Sequence, residues 1–341
     1  MYVMWSGGLR FSVRVSSGCT PAEFRDAAIA AEASGFDQIW TGNDQFKPSG
    51  IVPVVLALAA TTTIRVGSSV LNPVTLHPIE IAALVANLQQ ISGGRYLLGL
   101  GAGSEVYLRW AGLDVEPPVA RTFRGLRIVR ALTHGQSVRE LPGEEAWDVN
   151  AFLKGPGFEP APIYVGAMGP RMLSAAGAEA DGVLALCLPP DHFGWVRDNV
   201  GTRSEAADFD LVCCVWTSID DDAGVARHRL AERIAAAGGH LAPEALARAG
   251  IDPAKAAHIQ RLWDGGNSDA ALSEVDDSML RLGIYGNTAQ VIERCSRLIG
   301  QGVRHLSFGQ PLGPSAPSAI RQLGEQVLPV LRERHQVRDS A

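Results

Sequence analysis

Residues 64–103, IRVGSSVLNPVTLHPIEIAALVANLQQISGGRYLLGLGAG, hold one complete architectural unit. A β-rich run, Ile64 to Leu71, is followed by Pro78 to Ile91, where Ile81, Leu84, Val85, Leu88 and Ile91 recur at helical spacing on one face. Tyr96 to Gly101 then supplies a second β-rich run. Several strands of the chain read as nearly continuous apolar runs, as expected of parallel strands covered on both sides, and the alternation of strand and helix implies parallel strands.

The same alternation extends in both directions. Further strands are predicted at Leu9 to Val15, Asp37 to Thr41, Ile163 to Gly166, Gly182 to Leu188, Asp210 to Ile219 and Val303 to Phe308. Helices are predicted at Pro21 to Ser34, with Thr20 as N-cap, and around Glu293 to Leu298, where Ile292, Cys295 and Ile299 turn inward and Gly302 follows the end. Eight strand–helix units most simply close into an α/β (β/α)8 TIM barrel, and 341 residues suit one such domain with insertions. The competing doubly wound sheet would carry phosphate-binding glycines after its first strand, where this chain has Ser16-Ser17-Gly18. Residues 136–161, rich in Pro, Gly and acidic residues, and 220–285, Ala-rich and helical, are read as insertions over the C-terminal end of the barrel. A helix from Ala319 to Arg334 ends in a polar tail at 335–341.

Composition narrows the function. A net charge of −6 with scarce Lys disfavours nucleic acid and favours a small-molecule substrate. The longest apolar run, Ile51 to Ala60 interrupted by Pro53, is too short to cross a bilayer, and the first residues lack the pattern of an export signal. Cys19, Cys187, Cys213, Cys214 and Cys295 are odd in number and scattered in apolar segments, which suits reduced thiols in a cytoplasmic protein. No cysteine or histidine pair has metal-ligand spacing, so no metal site is expected.

In a barrel, chemistry gathers where strands end. After the second strand, Trp40-Thr41-Gly42-Asn43-Asp44-Gln45 breaks into a polar cluster, and Asp44 either bonds a ligand at the mouth or braces the next loop. The third strand carries Gly67-Ser68-Ser69 before Val70-Leu71-Asn72-Pro73, which suggests a bulge that lets a flat ring lie close, or small residues that fill a tapering interior. The fourth ends in Gly99-Leu100-Gly101-Ala102-Gly103-Ser104-Glu105, where alternate glycines admit a close neighbour. It lacks the third glycine of a dinucleotide fingerprint. The fifth delivers Gly166-Ala167-Met168-Gly169-Pro170-Arg171 and then a helix, so backbone N–H groups and the helix dipole favour an anion there, with Arg171 as a helper; Gly-Pro is also an ordinary helix start. Of the histidines, only His77 stands beside these constellations.

Four collinear stretches resemble the luciferase-like monooxygenase superfamily, and especially its coenzyme F420 (deazaflavin)-dependent oxidoreductase branch. They are Ala31 to Asp37 with Asn43-Asp44; Val66 to Pro73 with His77-Pro78; Ile91-Ser92-Gly93-Gly94-Arg95 through Gly103; and Pro162 through Gly182, while Gly302 to Gly313 looks like the closing strand. The resemblance implies a β-bulge with a cis non-proline peptide behind the flavin ring, at Ser69-Val70, and cofactor contacts at Asp44, Asn72, Gly103, Gly166, Ala167 and Gly169. Met168 and Arg171 lie within the same turn. The resemblance also implies a homodimer.

Departures from that pattern bear on mechanism. Relatives often have Asp-His after the second strand; here Gln45 follows Asp44, and an amide cannot shuttle a proton near neutral pH. Ser49 stands where the F420-type glucose-6-phosphate dehydrogenases have an aromatic residue, and Ser104, with Glu105 adjacent, stands near their acidic residue. Both argue against sugar-phosphate oxidation. The expected activity is hydride transfer between coenzyme F420 and a small organic substrate of C=N, C=C or C=O type, with Asp44 and Gln45 bonding ring or substrate and Glu105 as acid. The alternatives are an FMN-dependent monooxygenase and a flavin- or deazaflavin-binding protein without turnover.

Overall fold

The computed structural model describes residues 8–113, 117–155, 158–186 and 189–336. Among the described residues nine strands run β1 Arg10–Val15, β2 Gln38–Thr41, β3 Arg65–Leu71, β4 Tyr96–Leu100, β5 Ile163–Ala167, β6 Gly182–Ala185, β7 Asp210–Ile219, β8 Gly283–Gly286 and β9 His305–Leu312. Strands β1 to β7 pair in sequence order, β7 pairs with β9 and β9 with β1, all parallel, so eight strands close the predicted barrel.

The ninth strand, β8, was not foreseen. Its four residues include two glycines and lie at the end of a helical segment, so neither length nor propensity marks them. It pairs with the upper part of β7, Trp216 to Ile219, where β6, already ended at Ala185, no longer reaches. The predicted end of the sixth strand falls partly on residues 187 and 188, including Cys187, which lie outside the described residues. The closing strand runs past Phe308 to Leu312, which still pairs with Ser218 although a cis Gln310–Pro311 bond intervenes.

Helices pack around the barrel: α1 Pro21–Ala33, α2 Ile51–Ala60, α3 Pro78–Ser92, a short α4 Glu105–Trp110, α5 Pro118–Thr133, α6 Pro170–Glu179 and α7 Phe193–Val200. Thr20 caps α1 reciprocally with Glu23, and His77 caps α3 by accepting the N–H of Ile79. The segment after β7 folds as α8 Ala223–Ala237, α9 Pro243–Arg248, α10 Pro253–Asp264, α11 Ser268–Ser273 and α12 Asp277–Leu280. Leu230, Ile234, Leu246, Ile259, Met279 and Leu282 build a small core of their own there with Trp216 of β7. The other long segment leaves α5 and returns to β5 along the outside of the barrel. Glu144 anchors it to Arg124 (2.8 Å, Nη2 to Oε2), and Trp147 reaches His77 beside the mouth, with ring centroids 6.0 Å apart. The chain finishes with α13 Thr288–Gly300, α14 Ala316–Gln322, a π turn Leu323–Val327 and α15 Leu328–Gln336.

Inside, the barrel is layered. At the N-terminal end of the strands, Asp210, fully buried, meets Arg10 (2.8 Å), His305 Nδ1 (2.9 Å), the Tyr164 hydroxyl (2.8 Å) and Gln38 Nε2 (3.3 Å), while His305 Nε2 meets Ser12 Oγ (2.8 Å). Burial would raise the Asp210 pKa, but His305, Arg10 and Tyr164 together outweigh it and hold the carboxyl well below its ordinary range. Above this base lie Trp40, Leu97, Tyr164, Leu184, Val212 and Cys214, and above them the half-buried Val70 and Leu186.

Candidate active site

Alternation along β3 sends Gly67 inward, where the Trp40 ring fills the space a Cβ would need, 2.2 Å away. The register against β4 then slips between Ser68 and Leu71, and the Ser69–Val70 peptide is cis. This bulge carries the Val70 side chain into the mouth. A Cβ on Gly101 would lie 2.6 Å from Val70 Cγ2, and one on Gly166 would lie 2.9 Å from Val70 Cγ1 and 3.0 Å from Leu186 Cδ1. The glycines at the ends of β4 and β5 therefore leave room for a floor made of Val70 and Leu186. Beside that floor Ser69 is 6% exposed, and its Oγ has no hydrogen-bond partner among the described residues.

Two loops are tied together next to the floor. Asn72, buried, donates from Nδ2 to the Ala102 carbonyl (2.9 Å) and accepts the Val74 N–H (2.8 Å), and Arg121 donates to the same carbonyl (2.8 Å). Gly103 adopts φ 65°, and a Cβ there would lie 2.5 Å from Asn72 Nδ2 and 3.3 Å from Gln45 Nε2. Asn72 and Gly103 thus shape the mouth, Asn72 through bonds already made to backbone, while Gln45 reaches the β4 loop.

Asp44 lies at the β1–β2 side. Its Oδ2 accepts Ser17 Oγ (2.5 Å) and Lys47 Nζ (3.1 Å). Burial acts to raise its pKa, but Ser17, Lys47 and the charge of Arg14 lower it further, so the carboxyl stays ionised through the neutral range. The loop is closed by Asn43, which accepts the Gly50 N–H (2.9 Å). Glu105 stands in the first turn of α4, exposed as Asp44 is, and pairs with Arg109 (3.2 Å), an ordinary surface i,i+4 contact. The rim beside it is aromatic, with Phe46 66% exposed and packed against Tyr107 and Trp110.

On the opposite side α6 begins at Gly169 with no side-chain cap, which leaves its first-turn N–H groups open to an anion. Ala167 is buried, Met168 is half-exposed and the Arg171 side chain is exposed. Among the described residues no cluster of His, Cys, Asp and Glu could hold a metal ion, and no helix is long and apolar enough to cross a membrane.

Among the inward residues that the sequence reading passed over is Arg14. It is in register with Trp40 on β2, and its Nε is buried without a hydrogen-bond partner among the described residues. The signal was available in Arg10-Phe11-Ser12-Val13-Arg14-Val15: Phe11, Val13 and Val15 pack in the outer core, so the polar alternates must face the interior.

A family model described as luciferase-like monooxygenase matches residues 3–305. The 5,10-methylenetetrahydromethanopterin reductase of Archaeoglobus fulgidus is 32% identical over 315 residues, covering 89% of this chain and 93% of that protein. An F420-dependent glucose-6-phosphate dehydrogenase of Nakamurella multipartita is 30% identical over 347 residues, covering 95% and 97%. The solved structure of the coenzyme F420-dependent tetrahydromethanopterin reductase from Methanopyrus kandleri superposes with a TM-score of 0.84 at 26% identity, covering 95% of this chain and 99% of that one.

Proposed function

Because the chain belongs to the luciferase-like monooxygenase family, we propose that it is a coenzyme F420-dependent oxidoreductase that moves a hydride between the deazaflavin and a small organic substrate with a C=N, C=C or C=O bond. The relatives named above support the choice of coenzyme, since two of them are named for F420. The observation that carries the reading is the floor made by the Ser69–Val70 bulge, a flat apolar surface kept open by Gly101 and Gly166.

The residues fit such a group. A tricyclic ring can rest on Val70 with the unpartnered Ser69 Oγ at its edge, and a phosphate can take the open N–H groups at the start of α6, after Gly166-Ala167-Met168-Gly169 and near Arg171. When bound, the coenzyme supplies or accepts a hydride. The protein's own work is orientation and electrostatics. Asp44, held ionised with Oδ2 engaged, keeps Oδ1 to accept an N–H from ring or substrate, and Gln45 bonds without exchanging protons. Asn72 and Arg121 hold the two loops at a fixed spacing through the Ala102 carbonyl.

The enzyme acts as a cytoplasmic homodimer in this reading. Support for pairing comes from α2, Ile51–Ala60, which has no polar side chain and yet leaves Val52 51% and Leu56 40% exposed. FMN is the second reading for the coenzyme, because the same floor suits an isoalloxazine ring. Fluorescence titration of the purified protein with coenzyme F420 and with FMN tests the proposal: tight F420 binding supports it, selective FMN binding moves the activity to oxygen chemistry, and binding of neither overturns the site.

A further inference from the structure

The inward column of β1 contains Arg10, Ser12 and Arg14. At the base Arg10 pairs with Asp210 through Nη2 and Ser12 bonds His305 Nε2. Arg14 stands one layer higher, level with Trp40, and its Nε is shielded from solvent without a hydrogen-bond partner among the described residues. Its charge acts on Asp44, but Asp44 is already held by Ser17 and Lys47 through Oδ2. Formal charges on this wall, +1 each for Arg14 and Lys47 and −1 for Asp44, leave a net positive face. A guanidinium kept part-buried with a donor unused costs stability unless a ligand takes the bond.

Which ligand follows from the charge change in the reaction. When a hydride bonds to the electrophilic carbon of a ketone or of a conjugated enone, the π electrons move to oxygen and negative charge develops there; water then protonates the alkoxide, or the enolate at its α carbon. When a hydride adds to an iminium ion, an existing positive charge disappears instead. A fixed cation stabilises the first transition state and repels the ground state of the second.

Resting on the functional reading above, we infer that Arg14 is a catalytic residue that binds the developing oxyanion, and that the acceptor class of this enzyme is carbonyl or enone rather than iminium. The structure thereby narrows the three bond types left open by sequence to two, with Arg14 as the group that discriminates.

The test uses two probes. Coenzyme-free protein is titrated with 4-nitrophenol, whose phenolate mimics an enolate, and the phenolate absorbance is followed against pH. Wild type should stabilise the bound phenolate, and Arg14→Gln should lose at least tenfold in phenolate affinity; equal affinity in both overturns the inference. With reduced F420, the kcat/KM for 2-cyclohexen-1-one should fall by about 10²–10³ in Arg14→Gln. The value for N-methyl-3,4-dihydroisoquinolinium should hold or rise. Equal losses on both acceptors, or a loss confined to F420 affinity, make Arg14 a coenzyme-binding residue and overturn the assignment. If Arg14→Gln does not fold, Arg14→Lys carries the test: it keeps the charge without the planar fork, so enone turnover should still fall about tenfold, and wild-type turnover overturns the inference. Failure of wild type to bind F420 would remove the functional reading while leaving the phenolate result to stand alone.

Discussion

The two ends of the barrel solve opposite problems with the same kind of residue. At the base, Asp210, Arg10, His305, Gln38 and Tyr164 bury charge and polarity, and their groups answer one another within 2.8–3.3 Å. Above the base, Ser69 Oγ beside the floor and Arg14 Nε at the Trp40 level are buried without partners among the described residues, and α6 starts without a side-chain cap. Most polar groups of the base are answered within the chain, Ser307 Oγ excepted, whereas the upper half holds open donors at its floor and at the start of α6. Substitutions at the base should therefore be read out as stability, and those at the mouth as binding and rate.

The largest effect should come from breaking the base. Asp210→Ala leaves Arg10 buried without its counter-charge and His305 without its hydrogen-bond partner, a class of change that costs about 3–5 kcal/mol. Urea denaturation should show that loss or a chain that does not fold; a loss under about 1 kcal/mol would mean the base is less essential than its geometry indicates. At the mouth, Gly166→Val places a branched side chain where Val70 and Leu186 already touch the space of a Cβ. F420 affinity, measured by fluorescence, should drop more than tenfold, while the overpacking costs roughly 1–3 kcal/mol of stability. Unchanged affinity would show that the ring does not use the Val70 floor.

A smaller effect is expected at the side of the mouth. Asp44→Asn removes the carboxylate that Ser17 and Lys47 hold, so turnover should fall by about 10–100-fold with little change in melting temperature. Since the folded-state pKa of Asp44 is lowered, the wild-type rate should show no titration from this group between about pH 6 and about pH 8. The smallest effect concerns the start of β3 at the base. Glu32 accepts the backbone N–H groups of Thr62, Thr63 and Ile64, and these bonds outweigh desolvation and lower its pKa from 4.5 to about 2. A depressed carboxyl contributes stability that is fully present above the unfolded value and is lost as pH falls through the folded one, here from about 4.5 to about 2. Because Glu32 is only half-buried, Glu32→Gln should cost only about 1 kcal/mol at pH 7, and the difference should vanish near pH 2.

Much of this arrangement was legible in the linear pattern. Thr20 before Pro21, and His77 before Pro78, mark helix starts that the structure retains, because a cap is set by residues close in the chain; the reciprocal bond from Glu23 was added by the structure. The bulge at Ser69-Val70 was legible through resemblance and is present. The Arg109 partner of Glu105 was not legible, because adjacency to a glycine-rich strand end does not say where a side chain points. Strand β8 escaped because four residues carry too little pattern, and it exists only because the long β7 leaves an edge to pair above the end of β6.

The order of strands and helices, the closed barrel they imply and the glycines at the strand ends follow from periodicity and residue type, since burial on both faces of a parallel strand imposes its own composition. The partners of those residues do not. That Gly101 and Gly166 make room for Val70, that Asp210 is neutralised by residues 95 and more positions away in the chain, and that Arg14 is left without a bond at Nε were decided only when closure brought eight strand ends into one ring. Side chains far apart in sequence meet there at distances that no local pattern encodes.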